Sequence, residues 1–147
     1  MCPLSLAFPM MSRILIVRAT FYREIADFLL EGACAALNDK GVLYEVLDVP
    51  GAMEIPLAMA GASSDFDGYL ALGCVIRGET SHYDVVCQTS ANGLMTLALS
   101  KNIIIINGIL TTENWDQAIE RAHPTKKNKG GYAAEACLAM IHQRDSQ

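Results

Sequence analysis

Hydrophobic and polar positions along the chain change period several times, and each change marks an element. Arg13-Ile14-Leu15-Ile16-Val17-Arg18-Ala19 is largely β-branched and apolar on both faces through Ile14 to Val17, as in a strand of a parallel sheet covered on both sides. Ile25, Phe28, Leu29, Gly32, Ala33, Ala36 and Leu37 then follow the i, i+3, i+4, i+7 spacing of an amphipathic helix, closed by Lys40-Gly41. Leu43 to Val49 reads as a second strand, stopped by Pro50-Gly51. Ala52-Met53-Glu54 leads into an apolar helix with Pro56 in its first turn, where a missing N–H costs nothing. After a polar loop, Ser63 to Asp67, comes a third strand, Tyr69 to Leu72, followed by a glycine turn from Gly73 to Gly78. Tyr83 to Ser100 has helical spacing, and Ile103 to Ile106 begins a fourth strand that continues to Thr112. Asn114 and Gln117 form a capping box for a short helix ending near Ala122. His123 to Gly131 is a basic loop, and an alanine-rich helix runs to about Arg144.

This alternation predicts an α/β fold with a mainly parallel sheet and right-handed crossovers that place helices on both faces. Chemistry is expected at the carboxyl ends of the strands. Those ends are Thr20-Phe21-Tyr22, Pro50 to Glu54, Gly73 to His82 and Asn107 to Thr112.

Composition narrows the picture. With 147 residues, 52% of them hydrophobic, the chain suits one domain with a sizeable core. A formal charge of −5 argues against a nucleic-acid partner, which would call for a basic face. Met1 to Met11 carries no charge and is interrupted by Pro3 and Pro9, so a signal peptide or a membrane span is not expected there. The expectation is a soluble, cytoplasmic protein without a membrane partner. Five cysteines with no short pair spacing indicate neither a disulfide framework nor a zinc site.

Gly73-Cys74-Val75-Ile76-Arg77-Gly78-Glu79-Thr80-Ser81-His82 concentrates the chemistry. A helix start behind glycines offers unpaired N–H groups to an anion, with the Thr80 hydroxyl beside them. His82 stands there as a group able to move a proton near neutral pH, the alternative being a surface or capping histidine. A phosphate would also need a cation, and Arg77, Arg121, Lys126, Lys127 and Lys129 all qualify. Phe21 can stack on a heterocycle or pack as a staple on the first helix. Glu54 can accept hydrogen bonds from a polyol or favour the positive end of its helix. Cys74 is either a nucleophile paired with His82 or a buried thiol. His123 and His142 read as solvated.

Taken together and in order, Val49-Pro50-Gly51-Ala52-Met53-Glu54-Ile55-Pro56, Gly73 to His82, Gly108-Ile109-Leu110-Thr111-Thr112, Gln117-Ala118-Ile119-Glu120-Arg121 and Asn128-Lys129-Gly130 resemble the 6,7-dimethyl-8-ribityllumazine synthase family. The resemblance runs from about Arg13 to Arg144. It implies a three-layer sandwich around a four-stranded, mainly parallel sheet in flavodoxin-like order. The implied activity is a transferase step of riboflavin biosynthesis, without metal or redox cofactor. In it, 5-amino-6-(D-ribitylamino)uracil and 3,4-dihydroxy-2-butanone 4-phosphate condense to 6,7-dimethyl-8-ribityllumazine, releasing phosphate and water. By the same resemblance His82 is the proton-transfer residue and Arg121 binds phosphate, with Gly78, Glu79 and Thr80 around it. Phe21 stacks on the pyrimidine. Ala52, Met53 and Glu54 hold the ribityl chain, Cys74, Val75 and Ile76 supply backbone around the pyrimidine, and Asn107 and Lys129 complete the substrate-binding set.

The family's site lies between subunits of a pentamer, so the implied partners are the two small-molecule substrates, identical subunits sharing the active site, and riboflavin synthase. Some members assemble further into hollow shells; the loop His123 to Lys127, with Pro124, lacks the glycine-rich pattern that goes with them, and a homopentamer is expected. Residues 1–12 are expected to form an N-terminal arm packed on a neighbour, and residues 13–147 a single synthase domain. Four positions depart from the common pattern. Thr20 and Tyr22 flank Phe21 where many members have Arg and Asn, and Asn107 and Met53 stand where aromatics are frequent.

Overall fold

The structure is a computed structural model that describes residues 12–147. The expected N-terminal arm, apart from Ser12, lies outside the described residues. Nine elements follow one another: β1 Arg13–Ala19, α1 Arg23–Asp39, β2 Leu43–Val49, α2 Glu54–Gly61, β3 Gly68–Ile76, α3 His82–Lys101, β4 Ile105–Thr112, α4 Trp115–Ala122 and α5 Lys129–Asp145. The strands form one sheet in the order β2-β1-β3-β4, and every pairing in it is parallel.

Alternate residues of the two central strands feed two cores. Ile14 and Ile16 of β1, with Leu70 and Leu72 of β3, pack under α1, α4 and α5 through Ile25, Leu29, Ala33, Leu37, Ala118, Ala122, Ala134, Cys137 and Ile141. Leu15, Val17 and Ala19, with Tyr69 and Ala71, pack on the other face against Ile55 and Met59 of α2 and Leu94 of α3. Three helices, a sheet and two helices make the three layers. The central strands are apolar on both sides because both sides are covered. β2, at an edge, stays largely exposed.

Three boundaries differ from the sequence reading, each for a local reason. Gly73 is not part of a turn, because β3 continues to Ile76 and stays paired with β4 as far as Ile76 and Thr112. A Cβ on Gly73 would lie 3.1 Å from that of Ala19, so the glycine serves close packing beside β1. β4 begins at Ile105, not Ile103. Asn102, left-handed at φ 52°, ends α3, and its N–H donates to the Ala98 carbonyl, which leaves Ile103 and Ile104 to lead the chain back to the sheet. The basic loop ends at Asn128, which caps α5 by accepting from the Gly131 N–H. Lys129-Gly130-Gly131 is therefore helical, and Gly130 presses against the Leu29 carbonyl where α5 crosses α1.

Candidate active site at the strand ends

A cleft of about 340 Å³ opens where β1, β2 and β3 end. Ligand pockets commonly begin near this size, on the order of 300 Å³. The turn after β1 contributes Phe21 and Tyr22. Phe21 is 75% exposed and meets Tyr22 edge-on at 4.9 Å, and Tyr22 in turn leans on Trp115 at 6.1 Å. One Phe21 face is thus presented to the solvent and available for stacking. Thr20 anchors this turn, its N–H donating to the Val49 carbonyl at 3.0 Å.

The bend after β2 contributes Gly51, Ala52, Met53 and Glu54. The Glu54 N–H donates to the Gly51 carbonyl at 3.2 Å, and its carboxylate lies so near Gly51 that a Cβ there would come within 3.0 Å of Oε2. From β3 and beyond come Cys74, Val75, Ile76, Gly78 and Thr80, and α3 adds His82, Tyr83 and Val86. His82 is the first residue of α3 and its N–H donates to Thr80 Oγ1 at 3.2 Å. Ser81 places no side-chain oxygen on the first turn of α3, so the positive end of a 20-residue helix faces this loop.

Burial shapes the titration of the lining. It pushes the Cys74 thiol up to about 11, against a smaller opposing effect of a hydrogen bond with Thr112. The Tyr22 phenol is raised by burial first and then by Cys74, and Tyr83 is raised chiefly by burial. The cleft thus combines a stacking ring, a carboxylate suited to hydroxyl groups, an anion-friendly helix start and an imidazole.

Four of the residues picked out from sequence stand elsewhere. Glu79 is in the same loop but does not line the cleft. Asn107 and Lys129 line a separate groove of about 440 Å³ along β4 and α5, which shares no residue with the first. Asn107 sits inside β4 and not at its carboxyl end, paired with Ala71, its side chain accepting from the Ile109 N–H at 2.9 Å. Arg121, on α4, donates to the Gln117 carbonyl at 3.1 Å, and among the described residues no carboxylate lies within salt-bridge distance of it. Of the other candidate cations, Arg77 is taken up by Glu113 and Lys126 faces Glu120 at 3.7 Å. Among the described residues no group of three or more His, Cys, Asp or Glu side chains is placed to hold a metal ion.

Gly51, Tyr22, Tyr83 and Val86 line the cleft without having been assigned a role from sequence. Val86 lies four residues after His82, on the same helix face, so helical spacing from His82 could have found it.

Residues 11–145 match the family model described as 6,7-dimethyl-8-ribityllumazine synthase. A protein of that name from Bartonella tribocorum is 53% identical over 131 residues, covering 87% of this chain and 87% of its own. Its namesake from Erythrobacter litoralis is 51% identical over 137 residues, covering 92% and 97%, and that of Agrobacterium fabrum 53% over 135 residues, covering 87% and 91%.

Proposed function

This chain belongs to the 6,7-dimethyl-8-ribityllumazine synthase family, and from that premise we propose how its cleft carries out the family's reaction. The protein is an enzyme, a transferase of riboflavin biosynthesis. It condenses 5-amino-6-(D-ribitylamino)uracil with 3,4-dihydroxy-2-butanone 4-phosphate to give 6,7-dimethyl-8-ribityllumazine. The observation that carries the residue assignment is that one cleft gathers Phe21, Glu54, Gly78, Thr80 and His82 from three different strand ends.

In this reading the pyrimidine stacks on Phe21 and runs along the backbone of Cys74 to Ile76, with its ribityl hydroxyls against Ala52, Met53 and Glu54. The phosphate lies at the start of α3 against Gly78, Glu79 and Thr80. The pyrimidine amine attacks the ketone and an imine forms with loss of water. Phosphate then leaves, and closure of the second ring expels another water. His82 moves protons in these steps, a contribution worth about 10²–10⁴-fold in rate. Holding the two substrates in register supplies much of the remainder.

The enzyme works as a homopentamer with each active site shared between subunits. Arg121, Asn107 and Lys129 reach the cleft from a neighbour, with Arg121 on the phosphate. Two features support this. The groove holding Asn107 and Lys129 is separate from the cleft within one chain. Moreover, α3 buries only Ser90 and Leu94 while exposing Val85, Met95 and Leu99, an apolar surface of the kind subunits cover. Residues 13–147 form one synthase domain acting in the cytoplasm, and riboflavin synthase takes up the product.

The test is to supply both substrates and follow the absorbance and fluorescence of the lumazine. Formation of product with release of one phosphate per lumazine is the expected result. Binding of either compound without turnover would sink the reading.

A further inference from the structure

Arg77 stands just beyond β3 and outside the cleft, yet it joins the ends of the loop on which His82 is carried. Its N–H donates to the Thr112 carbonyl at 3.0 Å, continuing the ladder between β3 and β4 by one residue. Its guanidinium donates from Nε to Glu113 Oε2 at 2.7 Å and from Nη2 to Asp84 Oδ1 at 3.5 Å. It also lies over the Tyr83 ring, with Cζ 4.2 Å from the centroid. Tyr83 and Asp84 directly follow His82 in the first turn of α3. One side chain therefore ties the end of β3 to the end of β4 and to the start of α3.

The segment between these ties has little else to hold it. Gly78 to His82 are exposed, and nothing lies within 4 Å of where a Gly78 Cβ would be. Among the described residues, the one side-chain hydrogen bond within the segment is that from the His82 N–H to Thr80. The clamp suits arginine, whose planar fork can stack on a ring while donating along its edge. A lysine ammonium can satisfy Glu113 but offers no planar group to lie flat on Tyr83.

We propose that Arg77 is a positioning residue for the condensation: bridged to Glu113, Asp84 and Tyr83, it holds the Gly78–His82 segment in place without touching substrate. The inference rests on the synthase reading of the cleft. An exposed ion pair adds little to global stability, so the effect of the clamp is local. Small displacements of a reacting group are costly all the same, a misplacement of about 1 Å reaching 10²-fold in rate.

The experiment compares Arg77→Met, Arg77→Lys and Glu113→Gln with the wild type by amide hydrogen exchange and by kinetics with each substrate varied. Arg77→Met is expected to speed exchange over residues 78–84 by about tenfold and leave the central strands unchanged. In the same variant kcat falls about 10- to 100-fold while both KM values stay within about twofold. Arg77→Lys recovers part of both effects, and Glu113→Gln shows the same pattern to a smaller degree. Unchanged exchange overturns the proposal, as does faster exchange with an unchanged kcat. So does a KM rise confined to the butanone phosphate, which would make Arg77 a direct phosphate ligand. Exchange is read without turnover, so a wild type that forms no product defeats the synthase reading while the clamp is still judged on its own. Should Arg77→Met not fold, Glu113→Gln carries the same readouts.

Discussion

A thiol and an imidazole lining one cleft invite a nucleophile-and-base reading, and Cys74 with His82 supplies the pair. The surroundings of Cys74 decide against it. Its side chain is buried at the end of β3, and burial pushes the thiol up to about 11. The thiolate then amounts to a fraction on the order of 10⁻⁴ at pH 7, too little for a nucleophile that must be charged to react. What Cys74 can offer a substrate is its backbone and a small apolar surface. Cys74→Ala is accordingly expected to keep kcat within about threefold and to cost stability of about 1 kcal/mol from lost packing. Because the thiol stays neutral, the pH–rate profile of the variant should overlay that of the wild type between pH 5 and about 9. Abolished activity in a folded Cys74→Ala protein would restore the nucleophile reading.

At the scale of elements, the question is what holds β2, an edge strand whose residues are mostly exposed, in register. Arg18 of β1 answers part of it. Its guanidinium is buried and donates from Nε and Nη2 to the two Asp48 oxygens at 2.8 and 2.9 Å, and from Nη1 to Asp27 of α1 at 2.8 Å. Arg18 and Asp48 are also register partners, so the bidentate pair locks the strand pairing across its width. The hydrogen bond from Arg18 is the largest influence holding the Asp48 carboxyl below its ordinary 3.8. A carboxyl whose folded value is depressed contributes stability that is present above its unfolded value and is lost as pH falls through the folded one. The Asp48 side chain is 44% exposed, so solvent screening limits its contribution. Asp48→Asn is therefore expected to lose about 1 kcal/mol at pH 7 in urea unfolding. The gap between variant and wild type should narrow below about pH 4 as the wild-type carboxyl protonates. A gap that does not change with pH would remove the carboxylate from the account.

At the scale of the whole molecule, large apolar side chains stay uncovered in the single chain. Phe21, Leu57 and Leu99 are each more than 70% exposed, and the cleft and the Asn107–Lys129 groove lie apart. If the site is completed by a neighbour, two variants damaged in opposite halves can repair one another. His82→Asn spoils the cleft and Arg121→Ala the half that, on the proposed arrangement, an adjacent subunit supplies. Each alone should be strongly impaired at low butanone phosphate. In a closed ring assembled from an equal mixture, roughly a quarter of the interfaces pair two intact halves, and activity returns to about that fraction. Mixed assemblies without any recovery, checked for mixing by native mass measurement, would show that each site is built within one chain.

Much of the fold could be read along the chain, because burial on both faces of β1 and β3 favours apolar residues at nearly every position, the paired Arg18 aside, and helix spacing demands the 3.6 period. Ile14 to Ala19 and Ile25 to Leu37 left little choice. The boundaries that moved depended on contacts between distant segments. Gly73 looks like a turn until Ala19 is seen beside it, and Lys129-Gly130-Gly131 looks like a loop until Leu29 is seen against Gly130. The chemistry divides in the same way. Residue type and order in the Gly73–His82 stretch were enough to mark an anion-friendly loop with a histidine, since such a loop is a local device. Partners of charges are not local. Only the tertiary structure could bring Glu113 to Arg77, 36 residues away, and so turn a candidate phosphate ligand into a clamp, or bury Cys74 deeply enough to silence its thiol. A sequence determines what each segment can do by itself, whereas which charge is neutralised and which thiol is dry follows from neighbours that only folding supplies.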